Sequence, residues 1–143
     1  MASLSVLMGG MIYILFRSSD ILAFQWLNRI GMDEWIHDIR SSEMGSRLTL
    51  PQWFIYSLPN GLWAFAYALI ISSLWIRQSS WIKWVWLSTI PILVMGFEML
   101  QYLNLLPGTF SLSDLLSGIA GIVFGVLLGI KLQKNKKYEN ALD

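Results

Sequence analysis

Four stretches of this chain run without a charged side chain: Met1 to Phe16, Asn60 to Ile76, Trp84 to Phe97 and Leu115 to Ile130. Strand-like alternation is missing from all of them. In lipid a backbone must satisfy its own hydrogen bonds, so runs of this kind read as membrane helices. The wider composition agrees. Of the 143 residues, 55% are hydrophobic and 13% charged, outside the balance of soluble domains, and a mean hydropathy of +0.55 points to lipid as the solvent. Many of the 8 tryptophans stand beside the ends of the apolar runs, where an amphipathic ring suits the headgroup layer.

The expected fold is therefore an all-α integral membrane protein. It is read as a four-transmembrane-helix bundle with spans over 1–18, 59–76, 84–103 and 115–131. The first run has neither a basic leader nor a small-residue cleavage site, so it reads as a retained anchor. Sixteen residues rise only about 24 Å, so Arg17 snorkels or the helix runs on to Asp20. Leu58-Pro59 is read as the start of the second helix, because proline is tolerated in a first turn. Pro91 lies inside the third. Between spans one and two, residues 20–42 read as two short interfacial helices broken at Gly31, with acids at their starts and His37 and Arg40 near the second end. The polar tail, 133–143, is expected to be cytoplasmic and in part disordered.

Four spans put both termini on one side. Arg77, Lys83, Lys131, Lys134, Lys136 and Lys137 share that side, against Arg17, Arg29, Arg40 and Arg47 on the other, which favours cytoplasmic termini in a bacterial inner membrane. The basic cluster Lys131 to Lys137 follows directly on an apolar run and reads as a topology signal. With a net charge of +1 there is no case for a nucleic-acid partner. Without cysteine there is no disulfide or zinc-thiolate chemistry.

Against this background the segment GFEMLQYL, Gly96 to Leu103, stands out. On a helix Glu98 and Gln101 share one face, with Tyr102 beside it, and an ionised group turned to lipid costs several kcal/mol. That face therefore looks into the bundle or toward water, either as a functional site or as a hydrogen-bond knot between helices. Downstream, Ser111 and Asp114 have capping-box spacing. Gly118, Gly121, Gly125 and Gly129 form a ridge suited to close helix packing. Antiparallel spans would bring Arg17, Asp20, Asn60, Glu98, Gln101 and Asp114 to one level at the outer end. Such a cluster could bind a cationic headgroup, hold a divalent ion by oxygen ligands, or share a proton as a general acid/base pair. His37 is the only histidine, so no multi-histidine metal site exists, and no cofactor motif is present.

From Phe97 to Gly129 the chain resembles the C-terminal half of VanZ-like membrane proteins. In that family a Glu and a Gln three apart end one span, and an Asp opens a glycine-bearing final span. Glu98, Gln101, Asp114, Gly121 and Gly125 stand at comparable places, and Ser57 to Trp63 resembles the polar opening of the preceding span. The resemblance implies a small bacterial envelope protein from a family whose named member accompanies teicoplanin resistance. The expected function is engagement of a lipid or envelope-precursor headgroup by the outer polar cluster. Two alternatives stand beside it: a non-catalytic subunit or sensor acting through a protein partner or as a homo-oligomer, and an enzyme using Glu98 or Asp114 on a lipid headgroup.

Overall fold

A computed structural model describes residues 1–16, 22–41, 50–106 and 109–139. All of the regular structure in these residues is helical: α1 (Ala2–Phe16), α2 (Leu22–Arg29), α3 (Asp33–Ser41), α4 (Gln52–Trp75), α5 (Ile82–Tyr102) and α6 (Leu112–Glu139). Three of them, α4, α5 and α6 as far as Lys134, are long and apolar enough to cross a membrane. The apolar α1 is shorter, with 15 residues.

The axis of the bundle is α4. Its small residues Gly61, Ala64, Ala66, Ala68 and Ser72 are all buried, and α1, α5 and α6 pack around it. Contacts fix the directions. Ser57 meets Asp114 and Ser72 meets Gly129, so α4 and α6 run parallel. Tyr67 bonds Thr89 at 2.6 Å while Trp75 stacks on Trp86 at 5.7 Å, so α5 runs antiparallel to α4. The C-terminal end of α5 thus lies with the N-terminal ends of α4 and α6, and Tyr13 of α1 reaches the same level, lining a cavity with Trp53 and Tyr56.

The α4–α6 seam is built from backbone. A Cβ on Gly121 would collide with the Gly61 carbonyl oxygen, and one on Gly125 would lie 2.6 Å from the Phe65 carbonyl oxygen. Helices in lipid gain nothing from hiding oil from oil, so attraction has to come from close van der Waals approach, which glycine permits. Gly118 faces Val94 of α5 instead. On the other flank, Gly9 of α1 leaves room for the Trp63 indole, whose Nε1–H donates to the Val6 carbonyl at 3.4 Å.

Two features differ from expectation. The helix of the second apolar run begins at Gln52, not at Pro59: Pro51 supplies the start, its carbonyl accepting from the Phe54 and Ile55 N–H groups, and Pro59 is buried inside the helix. Its ring removes one donor, which leaves the Ile55 carbonyl without its usual partner, a cost that a bundle interior can absorb. The tail is helical as far as Glu139, as the good helix formers Lys and Gln favour. The end of α5 lies within a residue of the expected bound, at Tyr102, where Asn104 takes a positive φ of 57° and lets Leu105 N–H close back onto the Leu100 carbonyl at 2.8 Å. Gly31, with φ of 76°, ends α2 in the same way.

Along α5 only Ile90 and Glu98 are buried, while Ile92, Leu93, Phe97 and Met99 are exposed. A continuous apolar face of this kind suits hydrocarbon as its surroundings. Replacing Gly121 with leucine is expected to destabilise the bundle by about 3 kcal/mol through overpacking against backbone. Gly10→Ala, where a Cβ meets open space, should leave stability unchanged or raise it by up to about 1 kcal/mol. Reversible unfolding in mixed detergent and SDS micelles measures both.

Candidate functional site

The polar groups gather where α6 begins. Ser111 precedes its first turn, and its Oγ accepts from the Asp114 N–H at 3.4 Å, which is half of a capping box. In the usual box the acid would reach back to the Ser111 N–H. Here Glu98 of α5 takes that N–H through Oε2 at 3.4 Å. Asp114 is thereby released to face α4, where Oδ1 accepts the Ser57 hydroxyl at 2.5 Å. Ser57 is 2% exposed and also lies 3.0 Å from the Ser113 hydroxyl. One cap is in this way distributed over three helices, tying α4, α5 and α6 together at a single level.

Beside this knot lies a cavity of about 610 Å³ whose walls include Asn60, Glu98, Gln101 and Asp114. Four aromatic side chains line the same cavity, Tyr13 of α1 with Trp53, Tyr56 and Trp63 of α4. Tyr13 and Trp63 pack with ring centroids 5.6 Å apart, which connects the short α1 to the site. Glu98 is 9% exposed although its neighbours Phe97 and Met99 lie on the surface, so the glutamate turns inward where they do not. A second cavity of about 430 Å³ shares Asn60, Trp63, Glu98, Gln101 and Asp114 with the first and continues between Ala64, Tyr67, Leu93, Phe97 and Gly118. Its added walls are almost wholly apolar.

Of the residues expected at the site, Asn60, Glu98, Gln101 and Asp114 converge. Tyr102 does not: it is exposed and its ring meets Phe110 edge-on at 5.5 Å. Arg17 and Asp20 lie outside the described residues. Ser57 and the aromatic wall were not foreseen, yet they carry a sequence signal. Trp53, Tyr56, Asn60, Trp63 and Tyr67 are spaced three and four apart, a single helical stripe once the helix is carried back through Pro59. Among the described residues no group of three or more His, Asp or Glu side chains assembles, so the cluster consists of two carboxylates among neutral polar groups.

Chemically the cavity offers strong acceptors, amide and hydroxyl groups, and ring faces. Ser57→Ala removes the hydroxyl donor of a part-buried carboxylate and should cost about 1–3 kcal/mol in the same unfolding measurement. Tyr102→Phe should stay within about 0.5 kcal/mol. Compared with known protein families, with curated proteins and with solved structures, the chain matches none.

Proposed function

We propose that this chain is a VanZ-like, four-span protein of the bacterial cytoplasmic membrane whose outer polar pocket engages the headgroup of a membrane lipid or lipid-linked envelope precursor. The observation that carries this reading is the adjoining pair of cavities, one polar and one apolar, with five residues common to both. A soluble ligand has no use for an apolar extension, whereas an amphiphile fills both.

Three long apolar helices support the membrane setting. Counting α1 as a fourth span rests on its uncharged sequence and its packing on α4, where Gly9 and Tyr13 both meet Trp63. Its 15 residues rise about 22 Å, so the bilayer thins locally around it or basic side chains snorkel at its end. Cytoplasmic termini follow from the excess of basic residues at the end opposite the pocket, where Arg77 donates to the Gln133 carbonyl and Lys83 lies over the Trp84 ring.

Native mass spectrometry of the protein released from mild detergent tests the proposal. The wild type should retain a defined lipid or precursor adduct, and Glu98→Gln, which keeps the shape and removes the charge, should lose it while still folded. Identical spectra for the two proteins, with no specific adduct, would overturn it.

A further inference from the structure

Among the described residues, the lining of the pocket carries charge of one sign only. Among the described residues, Glu98 receives only the Ser111 N–H, on Oε2, and Asp114 only the Ser57 hydroxyl, on Oδ1. Each carboxylate therefore keeps a second oxygen with no donor among the described residues, and both groups line the same cavity. An ionised carboxylate can only accept, so its open positions call for a ligand that brings N–H or O–H donors, and two of them together favour a positive one. None of the described residues lining either cavity is Lys, Arg or His.

The aromatic part of the lining points to the same chemistry. Tyr13, Trp53, Tyr56 and Trp63 all line the cavity. The negative faces of such rings attract an ammonium within about 6 Å, and more strongly where water is displaced. Rings and carboxylates lining one cavity suit an organic cation. A phosphate or other anion entering the same space would meet two carboxylates at close range.

From these two observations we infer that the preferred ligand is a membrane lipid whose headgroup ends in an ammonium, with the ammonium held between Glu98, Asp114 and the aromatic wall and an acyl chain lying in the cavity between Tyr67, Leu93 and Phe97. The inference rests on the headgroup reading above and narrows it to one charge class. The apolar cavity selects the lipid over a free amine of the same chemistry, because only the lipid fills it. Asn60 and Gln101 stand where the two cavities join, and their amide groups suit the polar linkage between headgroup and chain.

Delipidated full-length protein is reconstituted in nanodiscs containing either phosphatidylethanolamine or phosphatidylglycerol with identical acyl chains in an inert lipid background. The single-lipid adduct is then read by native mass spectrometry after release. The wild type should hold the ethanolamine lipid at least tenfold over the glycerol lipid, and free phosphoethanolamine should not compete at equal concentration. Glu98→Gln and Asp114→Asn should bring the ratio near one. Trp53→Leu, at a 58% exposed position that the fold does not need, should lower it at least threefold and serves where a carboxylate variant fails to fold. A wild-type ratio near one, or one favouring the glycerol lipid, with an adduct that still depends on Glu98, overturns the ammonium inference and leaves the headgroup reading standing. Competition by free phosphoethanolamine overturns the lipid as its source. No adduct of either lipid beyond the background overturns both readings.

Discussion

Everything in this bundle depends on how closely α4 and α6 approach. Where Gly121 lies on the Gly61 carbonyl and Gly125 on that of Phe65, the two backbones are in direct contact, with no side chain between them. Parallel neighbours in lipid have no hydrophobic effect to draw them together, so the seam holds through dispersion at short range. Its second product is register. A slip of one residue would drive a Cα against a carbonyl, so the seam sets the height of Asp114 relative to Ser57. The polar end is in effect positioned from below by the glycines.

With register fixed, the site follows from an exchange of partners. Ser111 caps α6 in the ordinary way, but its own N–H goes to Glu98 of another helix, and the acid that would have taken it, Asp114, turns to Ser57. Both carboxylates acquire donors without either being spent within its own turn. This also accounts for the burial of Glu98 on a helix that is otherwise mostly exposed: the glutamate is what α5 contributes to the bundle at this end. At the other end, Gln133 donates to the Ser73 carbonyl and Arg77 to that of Gln133, so α4 and α6 are joined there as well, between helix ends rather than around a cavity.

Much of this was legible in the residues. Uncharged runs identified the helices, and the three-residue spacing of Glu98 and Gln101 marked the inward face of α5. The glycine repeat marked a packing face of α6, although Gly118 turns to α5 and the others to α4. What escaped notice depended on one proline. Taking Pro59 as a helix start cut away Trp53, Tyr56 and Ser57, which supply the aromatic wall and the partner of Asp114. Proline is as compatible with a buried helix interior as with a first turn when neighbouring helices surround it, and local sequence does not separate the two cases. Pro51 is the better start, since its extended backbone, with ψ of 146°, precedes the first helical turn. The capping-box spacing likewise foretold the cap but not the exchange, because Glu98 is 13 residues away from Ser111 and on another helix.

The apolar cavity is flanked by exposed Leu93 and Phe97 and so lies open along the side of the bundle. If the ligand is the lipid proposed above, it reaches this opening from the bilayer and never crosses water. It is drawn from a solvent made of candidate ligands, where the nearest competitor is always in contact. Under those conditions a dissociation constant in the millimolar range, about −4 kcal/mol on the aqueous scale, is enough for occupancy. Tight binding would only slow exchange. On that proposal the walls would have to discriminate rather than hold, and discrimination between lipids that share the same chains would fall on the few polar and aromatic groups where α6 begins.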